Sequence, residues 1–389
     1  MIQLKKKNDC CGCNACTQIC PKQCITMKED LEGFLYPEIN QKECIECNLC
    51  EKVCPVINQY SPSTPSKIFG IKNKKERVRL QSSSGGIFTI LAEKVLENGG
   101  VVFGARFNEN WEVVHDFIDN KADISQFQGS KYVQSQISNS FKQVQIFLKQ
   151  QKLVLFSGTP CQIAGLKRFL RKKYENLITV DFICHGVPSP KVWRLYLDEI
   201  CNKIFKCSKS NIKSICFRNK ANGWRNFSLQ IQFYTPISYN GTIIREFRES
   251  NNDNLFMKGF LRDLYLRPSC HSCPTKAFKS GSDYTIADFW GIEKTHPDFY
   301  DNIGISILFV NGEKDIFPYE KCDVIESRIN KIIKYNPAII KCALPKRQRS
   351  LFFQKINNQS SINLLIDKYS RYSIKEKINN IINKILTKL

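Results

Sequence analysis

The spacing of apolar and polar positions divides the chain into readable blocks. Ile25-Thr26-Met27 and Gly33-Phe34-Leu35-Tyr36-Pro37 predict a short hairpin, and residues 67–71 a strand. Ile87, Ile90, Leu91, Val95 and Leu96 recur at helical spacing, and Asn98-Gly99-Gly100 closes that helix with a glycine cap. Residues 101–107 and 111–118 alternate as a hairpin about Asn108-Glu109-Asn110. A βαβα pattern follows. Residues 153–156 form a buried strand, Ser157-Gly158-Thr159-Pro160 a turn, and Cys161 opens a helix that runs through Leu170. Residues 177–183 are the second strand, Cys184-His185-Gly186-Val187-Pro188 its exit turn, and a helix from Pro190 carries Trp193, Leu195, Tyr196 and Leu197. Strands alternating with helices imply a parallel pair and a right-handed crossover. Between 214 and 247 the pattern becomes a β-meander, with 228–234 and 242–247 paired across Asn240-Gly241. A helix over 253–266 and strands at 284–288 and 303–310 come next. Past residue 330 the pattern is helical. Its last stretch places Ile374, Ile378, Ile381, Ile382, Ile385 and Leu389 on one face, with Lys375, Lys377, Lys384 and Lys388 off it. Such a helix suits a membrane surface, a partner groove, or docking on its own domain.

Charge sharpens this division. The net charge is +22, yet residues 1–60 carry 7 Lys+Arg against 8 Asp+Glu, whereas 331–389 carry 13 against 2. A basic body suits anionic cofactors, acidic redox partners or anionic lipid. No helix-turn-helix, zinc-finger or RNA-binding signature accompanies it, so nucleic acid is not an expected partner. Ser61-Pro62-Ser63-Thr64-Pro65-Ser66 reads as a stiff polar linker at a domain boundary. The 389 residues suffice for a small module plus one large domain or two medium ones. No run approaches the roughly 18 apolar residues of a membrane span. The first ten residues lack the apolar core of a secretory signal. Nineteen cysteines without such a signal point to a reducing cytoplasm.

The cysteines carry the chemistry. Cys10, Cys13, Cys16 and Cys20 fall at C-x2-C-x2-C-x3-C before Pro21, and Cys44, Cys47, Cys50 and Cys54 repeat the pattern before Pro55. This is the spacing of bacterial two-cluster ferredoxins, in which the fourth cysteine of each run ligates the other [4Fe–4S] cube. Cys20 is therefore expected to serve the second cube and Cys54 the first. Zinc sites more often use two separated C-x2-C pairs. Cys11 and Cys24 fall off the pattern and read as spare thiols. Cys161 and Cys184 lie in turns at the carboxyl ends of neighbouring parallel strands, the edge where ligands gather in open α/β sheets. Each alone reads equally as a buried cysteine, and Cys161 at a helix start also as a low-pKa nucleophile. Cys270-x2-Cys273 brings the number to four, enough for a third [4Fe–4S] cluster or for a zinc that includes His271. Small residues from Ser82 to Gly86, and Gly158-Thr159, precede helices and would admit a phosphate. Neither stretch is G-x-G-x-x-G or a P-loop, which disfavours a standard dinucleotide fold or an NTPase.

Gln81-Ser-Ser-Ser-Gly-Gly86, Gly129-Ser-Lys-Tyr-Val133, Gly158-Thr-Pro-Cys-Gln162, Cys184-His-Gly-Val-Pro188, the Cys270/Cys273 pair and Asp288-Phe-Trp-Gly291 occur in that order. Over roughly residues 1–320 the set resembles the family of coenzyme F420 hydrogenase and dehydrogenase beta subunits. It resembles in particular the bacterial branch with a fused ferredoxin, often found among surface-polysaccharide genes. The resemblance implies an α+β module, 1–60, and a linker, 61–67. A mixed-sheet α/β flavoprotein domain, 68–330, follows in two regions, about 68–150 and 151–320; the basic helical extension, 331–389, lies outside the resemblance. It implies FAD, with Cys161, Cys184, Cys270 and Cys273 holding a cluster beside it. Ser84, Gly85, Gly86, Lys131, Tyr132, Gly158 and Thr159 would then touch the flavin or a substrate. Trp224 and Asp288 are further candidates that core packing also explains. The implied activity passes electrons from a ferredoxin or other redox partner protein to an organic or deazaflavin substrate. No residue stands out as catalytic. The alternative is a relay subunit without a substrate site. The expected location is the cytoplasm, with the C-terminal helix able to rest on the inner face of the membrane.

Overall fold

The computed structural model describes residues 2–237, 241–313, 315–356 and 361–371. Its strands in chain order are β1 (Ile25–Glu29), β2 (Leu35–Ile39), β3 (Lys67–Asn73), β4 (Val101–Phe107), β5 (Val113–Ile118), β6 (Val154–Gly158) and β7 (Leu177–Phe182). They continue as β8 (Ile212–Asn219), β9 (Ser228–Ile237), β10 (Gly241–Ser250), β11 (Tyr284–Asp288), β12 (Ser306–Val310) and β13 (Cys322–Glu326). Eight of them form one mixed sheet in the order β13-β3-β12-β11-β7-β6-β4-β5. Its centre, β11-β7-β6-β4, is parallel, and the outer pairings are antiparallel. β1 and β2 form the N-terminal hairpin, and β8, β9 and β10 a separate meander.

Successive side chains of a strand point to opposite faces, so the unbroken apolar runs of β4 and β6 bury the sheet on both sides. Val101, Phe103, Val154 and Phe156 enter one core with the helices Ser140–Lys149 and Pro160–Leu170. Their neighbours Val102 and Leu155 point the other way, into a core with the helix Ile87–Glu97. The inner face of the meander packs Leu229, Ile231 and Phe233 against Trp193, Phe256 and Tyr265.

Several element limits differ from those expected. The helix of 253–266 is confined to Leu255–Leu261, because Asp263 adopts φ +59° and turns the chain. Leu264, Tyr265 and Leu266 are apolar because they line the core beyond the helix, not because they extend it. The strand of 303–310 begins only at Ser306, after Gly304 at φ +123°. Ser157 and Gly158 belong to β6 rather than to a turn, and Trp111, at φ +60°, lies in the turn before β5.

The N-terminal module that the Ser/Pro linker follows is packed on the body. The short helix Ala15–Ile19 rests on the helix Pro160–Leu170, and a Cβ added at Gly165 would lie 2.8 Å from the Cys13 Cβ. Gln18 Oε1 accepts from the Phe141 and Lys142 amides at 3.0 and 3.1 Å, capping the helix Ser140–Lys149. Arg349 grips Glu32 through both carboxylate oxygens, at 3.0 and 2.5 Å. Linker composition sets chain stiffness and says nothing of whether the flanking surfaces match. The helix Ile362–Ser370 packs on Leu255–Leu261, so the start of the basic extension is part of the body. The amphipathic stripe from Ile374 to Leu389 lies outside the described residues.

His115 on β5 gives a pH prediction. Its Nδ1 lies 2.9 Å from the Ser135 hydroxyl, and its Nε2 lies 2.9 Å from the Ser157 carbonyl. Burial holds its pKa down, to about 4. The unfolded chain therefore takes up this proton first, and folding stability falls as pH drops from about 6.5 towards 4. Between pH 7 and pH 5 the loss from this group is about 2 kcal/mol. Urea denaturation should show His115→Gln losing less stability than wild type over that interval; equal losses would refute the assignment.

Candidate metal centres

Three groups of thiols converge in the structure. In the first run, Gly12 at φ +71° and Asn14 at φ +64° wind the backbone so that Cys10, Cys13 and Cys16 surround one space. Cys54 of the second run joins them. Burial, then the Cys10 and Cys54 thiols, push Cys16 up to about 12. The second run repeats the winding with Glu46 at φ +51° and Asn48 at φ +56°. Cys44, Cys47 and Cys50 line one pocket with Cys20, walled by Ile25 and Ile39. The last cysteine of each run thus stands among the thiols of the other. Cys47 is exposed, whereas Cys13 and Cys16 are buried.

Cys161 at the start of the helix Pro160–Leu170, Cys184 just after β7, and Cys270 and Cys273 about the turn Pro268–Ser272 form the third group. Burial, then Cys270, Cys161 and Cys273 as neighbours, hold Cys184 well above the usual thiol range. Burial also pushes Cys270 up to about 12. The Val187 amide donates to Cys270 Sγ at 3.4 Å, and the Thr159 and Thr275 hydroxyls lie 3.2 and 3.3 Å from Cys161 Sγ and Cys273 Sγ. Lys276 Nζ ties the Cys184 carbonyl to that of Ala338, at 2.6 and 2.7 Å. The helix-start position does not make Cys161 an acidic nucleophile: hydrogen bonding with Cys11, then burial, raise its pKa. His271 Nδ1 lies 3.0 Å from the Ala343 carbonyl. Among the described residues no three His, Cys, Asp or Glu side chains are set to hold a single metal ion. Four thiols are the donor set of a [4Fe–4S] cube, and that donor set is what each group offers.

Two thiols that read as spare stand inside this arrangement. Cys24 Sγ lies 3.4 Å from Cys20 Sγ in the wall of the second group. Cys11 is buried within hydrogen-bonding reach of both Cys13 and Cys161, between the first and third groups. Spacing alone could not find Cys11, because its partner is 150 positions away.

The expected flavin contacts divide into two places. Ser83 Oγ and Ser130 Oγ, 2.8 Å apart, join the Ser82–Gly86 loop to Lys131 and Tyr132. Ser84 Oγ donates to the Ile305 carbonyl at 2.8 Å, and the Gly85 amide to Ser306 Oγ at 2.8 Å. A Cβ at Gly85 would lie 2.4 Å from the Ile71 carbonyl, so this glycine admits strand packing. Gly86, at φ +83°, is the cap of the helix Ile87–Glu97. Gly158 and Thr159 stand instead beside Cys161, and the Thr159 amide is taken by Gln162 Oε1 at 2.9 Å. Donors expected to cradle a phosphate at these two helix starts thus already have protein partners at Gly85 and Thr159. Lys131 is tied to the backbone of the preceding turn. Its Nζ donates to the Gln126 and Gln128 carbonyls at 2.9 and 3.0 Å, and burial lowers its pKa to about 7. Tyr132 packs on Phe260, with ring centroids 4.9 Å apart.

Sequence reading missed two cations here. Lys220 Nζ donates to the carbonyls of Arg79, Ser84 and Ile303 at 2.8, 2.9 and 2.7 Å, bracing the Ser82–Gly86 loop. Arg218 is buried beside Tyr132 and bonds Asp288 Oδ2 at 2.5 Å, while its Nε and Nη2 have no hydrogen-bond partner among the described residues. Asp288 Oδ1 also accepts from Trp224 Nε1 at 3.1 Å, and Trp224 stacks on Trp290 at 4.9 Å. Trp224 is therefore a packing residue, and Asp288 the counter-ion of Arg218.

Residues 9–58 match a 4Fe-4S dicluster domain. Residues 68–142 match the N-terminal part, and residues 151–316 the C-terminal part, of the coenzyme F420 hydrogenase/dehydrogenase beta subunit. The chain belongs to the family of coenzyme F420 hydrogenase/dehydrogenase beta subunits. It is an iron–sulfur member of that redox family. An F(420)H(2) dehydrogenase subunit of Methanosarcina mazei is 25% identical over 222 residues, which cover 54% of this chain and 61% of that protein. The match therefore spans less than two thirds of that relative. A chain of the F420-reducing [NiFe] hydrogenase complex from Methanosarcina barkeri superposes with a TM-score of 0.44 at 14% identity, over 72% of this chain and 90% of that one. Among the described residues no helix is long and apolar enough to cross a membrane.

Proposed function

We propose that the chain is an iron–sulfur flavoprotein oxidoreductase that takes electrons from a ferredoxin-like donor and delivers them to an organic substrate. Residues 1–60 are the electron-entry module, 68–330 the oxidoreductase body, and 331–389 an extension whose first part braces the body. Two [4Fe–4S] clusters sit at Cys10, Cys13, Cys16 and Cys54, and at Cys20, Cys44, Cys47 and Cys50. A third sits at Cys161, Cys184, Cys270 and Cys273. The observation that carries the reading is the burial of Cys11 against both Cys13 and Cys161, which sets the third group directly beside the first.

When bound, the clusters would carry single electrons, and FAD would pair them for two-electron chemistry. The chain's own residues supply the setting. Val187 N–H and the Thr159 and Thr275 hydroxyls direct dipoles at the third group of thiols. Buried Cys11, with the close contact of Cys13 and Gly165, excludes water between the first and third groups. Lys131, Tyr132 and Arg218 are the favoured flavin or substrate contacts, because Nε and Nη2 of buried Arg218 have no partner among the described residues. Ser84, Gly85 and Gly86 shape that wall, and Gly158 and Thr159 shape the side nearest Cys161.

Anaerobic dithionite titration of the isolated chain, followed by EPR and visible absorption, tests this reading. Bleaching of flavin bands together with the growth of cluster signals is expected. Clusters without any flavin would favour the other reading, a relay subunit serving a partner enzyme, which the subunit status of the Methanosarcina mazei relative supports.

A further inference from the structure

Arg267 joins two of the thiol groups. It opens the turn Pro268–Ser272, its carbonyl accepts from the Cys270 amide at 2.9 Å, and its own amide donates to the Val187 carbonyl at 3.0 Å. Its side chain then crosses into the N-terminal module. Nε donates to the Cys10 carbonyl at 2.8 Å, and Nη2 to the Leu35 carbonyl at 2.9 Å. Nη2 also reaches Cys10 Sγ at 3.5 Å. Nη1 donates to Gln134 Oε1 at 2.9 Å, and Gln134 Nε2 in turn donates to the Cys11 carbonyl at 3.2 Å. The Tyr36 ring lies 4.3 Å from the guanidinium. A Cβ on Gly12 would come within 2.9 Å of Nη1, so the loop between Cys10 and Cys13 is built around this cation.

The side chain is 0% exposed, and among the described residues no carboxylate pairs with it. A buried cation without a counter-ion is costly. Its natural partner is the negative charge of a thiolate-ligated cluster, which grows by one unit on reduction. Hydrogen bonds to the ligand sulfurs and net local charge set the potential of such a centre.

We propose that Arg267 is a redox-tuning residue that raises the reduction potential of the centre at Cys10, Cys13, Cys16 and Cys54 above that of the centre at Cys20, Cys44, Cys47 and Cys50. This rests on the cluster reading given above. With clusters bound, an electron arriving at the outer centre beside exposed Cys47 would pass to the inner centre, the outer centre being oxidised as the inner one is reduced. Arg267 gives the ferredoxin module a downhill direction into the body.

The test is an EPR-monitored potentiometric titration of the full chain, purified anaerobically. Arg267→Gln should lower the midpoint of one ferredoxin-type centre and leave the other unmoved. At the wild-type midpoint the reduced-to-oxidised ratio of that centre should fall at least tenfold, which is 59 mV for one electron. Arg267→Lys, which keeps the charge, should recover most of the shift. Gln134→Glu preserves size and the acceptor for Nη1 but neutralises the cation, and should lower the same midpoint even if Arg267→Gln does not assemble. Full iron content with unmoved midpoints in Gln134→Glu or Arg267→Gln would overturn the proposal and leave Arg267 as an anchor. A wild-type chain that holds no iron at residues 10–54 would refute the cluster reading instead.

Discussion

Cys270→Ser should lower the iron of the anaerobically purified chain from about twelve atoms to about eight, the loss of one four-iron cube. Its thiol lies at the heart of the third group: Cys184 and Cys273 are its neighbours, and the Val187 amide points at its sulfur. The spectral signature of the N-terminal pair should survive, because those eight cysteines come from a separate stretch of chain. A variant that keeps all its iron would place the ligands elsewhere, with Cys11 the first to examine. Electron delivery to an acceptor should fall to background in the variant even though the N-terminal centres still reduce. Iron analysis and stopped-flow reduction together separate these results.

Asp288→Ala should cost about 3–5 kcal/mol of folding stability, because it leaves the Arg218 guanidinium buried without its counter-ion. The aspartate ends β11, and its two oxygens serve Arg218 and Trp224. Removing it therefore breaks two bonds and strands a charge. The double variant Arg218→Met/Asp288→Ala should regain much of the loss, since an apolar pair of similar volume replaces a buried ion pair at little cost. Urea denaturation of both measures this. A loss below about 1 kcal/mol in Asp288→Ala would mean that water reaches the guanidinium and that the pair is effectively a surface pair. Flavin content of the double variant then reports whether Arg218 also touches the cofactor.

The parts of this molecule that were legible in sequence are those fixed by local geometry. Two C-x2-C-x2-C-x3-C runs wind their own thiols into place, and their exchange of Cys20 and Cys54 follows from the spacing. The parallel core was legible because β6, its helix and β7 are consecutive. Cys161 and Cys184 could be paired because both leave the same edge of that sheet. What was not legible depends on contacts far apart in the chain. Arg267 reaches Cys10 across 257 positions, and no periodicity records that. The small residues at Ser82–Gly86 read as an opening for a phosphate, whereas the Ile71 carbonyl and Ser306 show that Gly85 is small to admit a neighbouring strand. The Ser/Pro stretch reads as a stiff linker at a boundary, and composition does not record that Gly165, Gln18 and Glu32 clamp the module it leaves.

A third cluster and a flavin in the body behind the ferredoxin module are tested most directly by the cofactor content of the chain. Iron, zinc and flavin are counted per polypeptide after anaerobic purification. About twelve iron atoms, no stoichiometric zinc and one FAD are expected. About eight iron atoms with no flavin would contradict both centres.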